Sequence, residues 1–360
     1  MKIAIGMRRL NHLGGVASYY NSVLPYLKKN NSLEVVCFYL GSKLDSPSLL
    51  HPITDQIRFN KFLNKEKPDM VHINPSLGFK SFTRDGLIIW QAKRKNIPVL
   101  VFFRGWKESF ESYVEKRLKW FFDKTYLKAD KFIVLASDFK QKLREWSVQS
   151  DIALGTTAVD NTLLEKFDID DKIQALDKKD ELKILFLSRI EKEKGIFETI
   201  DAFEILLNKK YNIRLSIAGD GSAMNDVFEY VKKKKIFENR LAFLGYVSGD
   251  DKIKAFKEHD IYCLPSYSEG MPNSVLEAMA FGLPVIIRPV GGLKDFFENS
   301  RMGFLAKGTT GEEISDLLEK LICNKILLSD ISRYNYNFAK ENFMASIAAE
   351  KLITIYRSML

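Results

Sequence analysis

DIYCLPSYSEGMPNSVLEAMAFGLPVIIRP, residues 260–289, is the stretch whose pattern decides the fold. Apolar, β-prone runs at 260–265 and 284–289 flank a polar loop and a helical stretch from Val275 to Phe281. Strand, loop, helix and strand within about 30 residues make a βαβ unit, whose two strands lie parallel in one sheet. The same alternation continues on both sides. It gives KILFLS at 183–188, RLSIAG at 214–219 and RLAFLG at 240–245, and, in the first half, KIAIGM at 2–7, LEVVCFYL at 33–40, MVHI at 70–73, PVLVFF at 98–103 and KFIVLA at 131–136. The fold class is therefore α/β, with two doubly wound domains. Between them the acidic stretch NTLLEKFDIDDKIQALDKKDE at 161–181 loses the strand pattern and reads as an exposed connector. The expected domains are 1–160 and 182–343, followed by an amphipathic helix at 344–360 that must pack on something. Two such domains in tandem are expected to face each other across a cleft at the carboxyl edges of their sheets, where ligands of these sheets bind.

Composition narrows the class. The 360 residues, 46% hydrophobic and 28% charged, suit a soluble chain with two cores. The opening MKIAIGMRRL has too short an apolar run for a signal peptide, and no stretch reaches the roughly 18 apolar residues of a membrane span, so a cytoplasmic location is expected. Cys37, Cys263 and Cys323 lie far apart, and with four scattered histidines they make no metal-ligand spacing. The net charge of +9 suits nucleic acid, an anionic membrane or an anionic small substrate. Nucleic acid finds no zinc-finger spacing or aromatic RNP-type strand in its support and is not an expected partner. EKRLKWFFDKTYLK at 115–128 interleaves Lys116, Arg117, Lys119, Lys124 and Lys128 with Trp120, Phe121, Phe122 and Tyr126. It reads as a surface helix with its aromatic stripe in the core, or as one docked peripherally on the anionic inner face of a membrane.

The chemistry-bearing residues follow the strands. After DIYCLP, the loop Ser266-Tyr267-Ser268-Glu269-Gly270-Met271-Pro272-Asn273 leads into a helix in which Pro272 suits the first turn. Glu269 then stands at the helix mouth and Glu277 a little over one turn inside, while N–H groups near Gly270, Met271 and Asn273 make the mouth an anion site. A phosphate cradle beside hydroxyl-reading acids is what a sugar nucleotide requires. After KILFLS, the loop SRIEKEKG at 188–195 places Arg189 and Lys194 where they can meet one diphosphate, although a solvated charge run would look the same. Gly14 and Gly15, within Leu13-Gly14-Gly15-Val16, allow a ligand close to the backbone, and so would a simple tight turn. AGDGS at 218–222 reads as a turn, and no GxGxxG follows the first strand. Asp168-Ile169-Asp170 is a DxD in the acidic stretch and is not expected to bind metal.

In combination, GG at 14–15, SRIEKEKG at 188–195, LSIAGDG at 215–221, FLGYV at 243–247 and EGMPNSVLEAMAFGLPVI at 269–286 resemble the retaining GT-B glycosyltransferases of family 4 (glycosyl transferases group 1). The resemblance covers nearly the whole chain and is more specific in the C-terminal half. It implies two Rossmann-like domains, a nucleotide-diphosphate sugar as donor, bound mostly by the second domain, and a last helix crossing back to the first. It assigns Arg189 and Lys194 to the donor diphosphate, Glu277 to the ribose hydroxyls, and Glu269 to the transferred sugar, with Gly270, Met271, Pro272 and Asn273 lining it. Gly245, Tyr246 and Val247, with Leu264 to Ser266, would flank the base, and Gly14 and Gly15 would approach the diphosphate from the other domain. One departure stands out. Many relatives carry His-Gly after the fourth strand, where this chain has Phe103-Arg104-Gly105-Trp106. Arg104 stays protonated and cannot act as a base, but it can pair with a phosphate or an anionic acceptor. His72 and Asn74, in VHINPS, and Trp106 are the acceptor-side candidates, although His72 also suits a purely structural role.

The resemblance implies transfer of a hexose-type sugar to a glycan or lipid-linked oligosaccharide acceptor, in bacterial surface-polysaccharide synthesis, without a metal or other cofactor. Two rivals share the donor contacts. A sugar-nucleotide epimerase would turn over the nucleotide sugar alone, and a catalytically silent scaffold, suggested by Arg104, would bind nucleotide without turnover.

Overall fold

The computed structural model describes residues 1–11, 14–41, 51–235 and 239–360. They form two compact units, Met1–Ala158 with Ala345–Leu360, and Val159–Met344. The first unit contains β1 (Lys2–Met7), β2 (Glu34–Tyr39), β3 (Met70–Ile73), β4 (Ser76–Leu77), β5 (Val99–Phe102), β6 (Gly105–Trp106), β7 (Lys131–Val134) and β8 (Asp151–Leu154). Six of these make a parallel sheet in the order β2-β1-β3-β5-β7-β8, and β4 pairs with β6 in a separate ribbon. The second unit contains β9 (Leu182–Leu187), β10 (Ile213–Ala218), β11 (Leu241–Gly245), β12 (Ile261–Leu264), β13 (Val285–Ile287) and β14 (Gly303–Leu305), parallel throughout in the order β11-β10-β9-β12-β13-β14.

Counted within the second unit, that order is the 3-2-1-4-5-6 of dinucleotide-binding sheets. The chain winds outward from β9 on one side and from β12 on the other, so the crevice opens past the carboxyl ends of those two strands. In the first unit the winding reverses between β1 and β3. The central strands are apolar runs because helices cover both of their faces, and every residue of β3, β5 and β12 is buried. Helix Gly15–Lys29 buries Tyr20, Val23, Leu24 and Leu27 and packs against helix Ala345–Arg357.

Some segments differ from the sequence reading. The outer strands β8 and β14 carry no long apolar run and were not expected. The acidic stretch holds helix Ile169–Lys178, which buries Ile169, Lys172 and Leu176, and its DxD is a cap in which Asp168 accepts from the Asp170 N–H at 2.7 Å. The basic aromatic segment is not one helix. Glu108–Tyr113 passes through a π-helical turn, Val114–Leu118, into helix Lys119–Thr125 and a 3-10 turn at Tyr126–Lys128. Phe122 and Tyr126 are buried as the core reading requires, but Trp120 is 66% exposed.

Candidate functional site

At the switch point of the second sheet, the loop 188–195 leaves β9 and the loop 265–272 leaves β12. The backbones meet. Tyr267 N–H donates to the Glu193 carbonyl at 2.9 Å, and Ser266 Oγ donates to the same oxygen at 3.2 Å. Gly195 has φ +74°, and a Cβ there would stand 2.4 Å from the Pro265 carbonyl, so only glycine permits this approach. The charge run divides accordingly. Lys192 points outward to Asp226 at 2.8 Å, whereas Lys194 is buried, with Nζ 2.8 Å from Glu269 Oε1 and 3.2 Å from the Ser268 carbonyl. Arg189 is exposed, and its side chain enters no hydrogen bond or ion pair among the described residues.

Glu277 is the fifth residue of helix Asn273–Ala280. Pro272 is the N-cap, one residue before the first turn where it was expected. No side chain caps that end, and no acid stands in the first turn. Tyr262 Oη donates to the Leu187 carbonyl and shares a hydroxyl–hydroxyl hydrogen bond with Ser274 Oγ, both at 2.7 Å, which ties the helix start to the end of β9. Glu277 is 4% exposed, and its Oε1 accepts from Lys252 Nζ at 2.6 Å. Oε2 is buried and has no partner among the described residues. Burial raises the Glu277 carboxyl above the usual carboxylate range, against the pull of Lys252. Lys252 and its helix, Gly249–Glu258, were not singled out from the sequence. The signal was slight, a lysine 25 positions away on another element.

Gly245, Tyr246 and Val247 lie at the end of β11, two strands from β9 and so about 10 Å across the sheet. Tyr246 is 63% exposed there. Leu264, Ser266, Met271 and Pro272 are buried, while Gly270 and Asn273 are partly open. The arrangement therefore presents cations and helix N–H groups beside two carboxylates, one paired with Lys194 and one with an oxygen awaiting a donor. It suits an anion with hydroxyls attached.

In the first unit, Gly14, Gly15 and Asn74 line a cavity of about 230 Å³ at the carboxyl ends of β1 and β3, together with Arg8, Ser76 and Arg84. Leu13 lies outside the described residues. Asn74 bridges its surroundings, receiving the Tyr20 hydroxyl at 2.9 Å and donating to the Gly6 carbonyl at 3.1 Å. The other first-unit candidates do not line this cavity. His72 lies within β3 rather than after it, is fully buried, and contacts Tyr356 Oη at 2.7 Å through Nδ1 and Tyr20 Oη at 3.5 Å through Nε2. Burial, with the Arg104 charge, lowers its pKa to about 3, so it stays a neutral structural imidazole. Arg104 lies over the rings of Tyr19 and Phe102, 3.9 and 4.5 Å from their centroids, and its Nη1 donates to the Thr156 carbonyl at 3.4 Å. Trp106 stacks on Phe139 at 4.6 Å, and its Nε1 donates to Glu111.

The chain matches the family described as Glycosyl transferases group 1 over residues 168–338, within the second unit. It is 27% identical over 239 residues to the capsular polysaccharide biosynthesis glycosyltransferase CapM of Staphylococcus aureus, an alignment covering 64% of this chain and 62% of that one. The chain thus spans less than two thirds of that relative's length. It is 25% identical over 309 residues, 81% of this chain and 76% of the other, to the UDP-Gal:alpha-D-GlcNAc-diphosphoundecaprenol alpha-1,3-galactosyltransferase of Escherichia coli. Among solved structures, Anabaena HepE in complex with UDP and glucose superposes with TM-score 0.74 at 15% identity, covering 99% of this chain and 100% of that one. That likeness gives the fold, which is GT-B.

Proposed function

We propose that the chain is a retaining glycosyltransferase that moves a hexose-type sugar from a nucleotide diphosphate to a glycan or lipid-linked acceptor in surface-polysaccharide assembly. The observation that carries this is the buried, unpartnered Oε2 of Glu277, on the helix that follows the Glu269 loop. A buried acceptor left unsatisfied costs about 1–3 kcal/mol, which a ribose hydroxyl donating to it would recover. Arg189, Lys194 and the N–H groups at Gly270 to Asn273 are arranged to receive the diphosphate as the bond from sugar C1 to phosphate oxygen loosens. The acceptor hydroxyl attacks C1 from the same face, and its proton passes to the departing phosphate oxygen. Each well-placed donor to that developing charge is worth about 2.7–4 kcal/mol. Glu269, held by Lys194, orients the sugar. The relatives in capsular and diphospho-lipid glycan synthesis support this choice of acceptor. The test is a thermal-shift survey of nucleotide sugars, followed by radiolabelled transfer to a membrane extract. Glu269→Ala and Arg189→Ala are expected to lower transfer about 100-fold or more. Unchanged transfer in both would remove the site assignment, and turnover of nucleotide sugar without acceptor would favour an epimerase.

A second observation favours peripheral docking on an anionic membrane. Phe79 and Tyr113 are exposed, with rings 6.2 Å apart, on the same unit as exposed Trp120. Lys80, Lys107, Lys116, Arg117 and Lys124 are exposed and in no ion pair among the described residues. No helix among the described residues is long and apolar enough to cross a membrane. Binding to phosphatidylcholine vesicles only when they contain phosphatidylglycerol, and its loss in Trp120→Ala with Lys116 and Arg117 changed to Gln, is the expected result. Equal binding to both vesicle types would remove this reading.

A further inference from the structure

Arg288 is the first residue after β13, so it starts at the carboxyl edge of the sheet, one strand from the loop that carries Glu269. It is 5% exposed. Its Nε donates to the Pro265 carbonyl at 2.8 Å, and its guanidinium lies over the Tyr267 ring, 4.4 Å from the centroid. Its Nη2 is buried without a partner, and no carboxylate pairs with it among the described residues. The residues that follow hold the other end of the same loop. Gly292 N–H donates to the Gly270 carbonyl at 2.8 Å, and a Cβ on Gly291, where φ is +54°, would stand 2.1 Å from the Glu269 carbonyl. Residues 288–292 thus grip the backbone of 265–270 at both ends, and Glu269 is held between.

A buried guanidinium with one nitrogen lacking an acceptor and no acid beside it is costly to keep. The Tyr267 ring and one carbonyl offset only part of that cost. The missing negative charge is what a diphosphate brings on binding. We propose that Arg288 is a positioning residue of the nucleotide-sugar site. It fixes the 265–270 loop and, as a buried cation without a protein counter-ion, biases the site toward a diphosphate over less charged nucleotides. It acts through the loop and through its field, without touching the sugar. The inference rests on the donor-site reading above.

Calorimetric titrations of UDP, UMP, GDP and GMP into the full chain and into Arg288→Lys, Arg288→Gln and Arg288→Met test it, with thermal unfolding as the folding control. The two neutral replacements separate charge from packing, since Gln can still donate to Pro265 and Met fills the space. In the neutral variants the diphosphate is expected to lose about tenfold in affinity and the monophosphate about twofold, with Arg288→Lys recovering most of the difference. Equal losses for both nucleotides without recovery by lysine would make Arg288 purely structural and overturn the proposal, as would variants that bind like wild type. A wild-type chain that binds neither diphosphate overturns the donor site and this inference together. Diphosphate binding by wild type with indifferent variants overturns this inference alone.

Discussion

Glu277 and Lys252 bear on stability and, under the proposed donor site, on binding. The carboxyl is buried and pushed above its usual range, so Lys252 offsets a charge that the interior opposes. Glu277→Gln keeps the shape, removes the charge and weakens any hydroxyl contact at Oε2. Donor affinity is expected to fall about tenfold while the melting temperature changes little. A titration of nucleotide sugar into this variant checks it, and wild-type affinity would exclude Glu277 from ribose recognition. Lys252→Met does the reverse, leaving a buried carboxylate with no cation. Stability is expected to drop by about 1–3 kcal/mol in urea unfolding. The loss has a pH signature. A carboxyl whose folded pKa lies above its unfolded value holds its proton longer when folded, so its contribution is present at low pH and lost as pH rises through the folded pKa. The Lys252→Met deficit is therefore larger at pH 8 than at pH 5, and equal deficits at both would refute the pairing argument.

Helix Gly249–Glu258, which carries Lys252, is closed by a residue from outside it. Lys172, on helix Ile169–Lys178, donates to the carbonyls of Phe256 at 3.2 Å, Lys257 at 3.4 Å and His259 at 2.7 Å, groups that the end of a helix leaves unsatisfied. Burial lowers its pKa to about 7, with Asp260 pulling upward. Lys172→Met orphans those carbonyls, and the second unit is expected to lose about 1–3 kcal/mol. Donor affinity should fall with it, because the helix positions Lys252. Far-UV dichroism melts with parallel nucleotide titration decide the matter, and an unchanged melt would show that the cap contributes nothing. The acidic composition of 161–181 concealed this helix, since its three buried residues are too few to make an apolar stripe. The central strands were legible because burial on both faces leaves unbroken apolar runs. Outer strands such as DIAL at 151–154 and GFL at 303–305 need only a few residues and leave no such mark. Arg189, Lys194 and Glu269 were legible as loop residues following strands, and Glu277 as a residue of the helix after the loop. Their partners were not, because Lys194 meets Glu269 across 75 positions and Glu277 meets Lys252 across 25. Distance in sequence also hid Arg288, whose place beneath the loop appears only once β12 and β13 are side by side.

At the scale of the whole chain, acid should act on each unit through a buried histidine. His72 in the first unit has its pKa lowered to about 3 by burial and the Arg104 charge, and His259 in the second to about 4, chiefly by burial. Unfolded histidine binds a proton near pH 6.5 whereas the folded core refuses it until far lower. The stability that the neutral imidazole contributes is therefore complete above pH 6.5 and is lost as pH falls toward 3. For His72 this amounts to about 2 kcal/mol by pH 5. The units can be followed separately, because Trp90, Trp106, Trp120 and Trp146 all lie in the first. Tryptophan emission reports that unit alone, while far-UV dichroism reports both. Between pH 7.5 and pH 5 the guanidinium midpoint followed by emission should fall steeply in wild type. In His72→Asn it should start lower, because the contacts to Tyr356 and Tyr20 are weakened, and then change little over the same range. His259→Asn should leave the emission curve as it is and flatten only the remaining dichroism transition. If His72→Asn kept the wild-type pH slope in emission, the acid sensitivity of the first unit would have to come from carboxylates instead, whose stabilising contribution is lost only as pH approaches 4 and below.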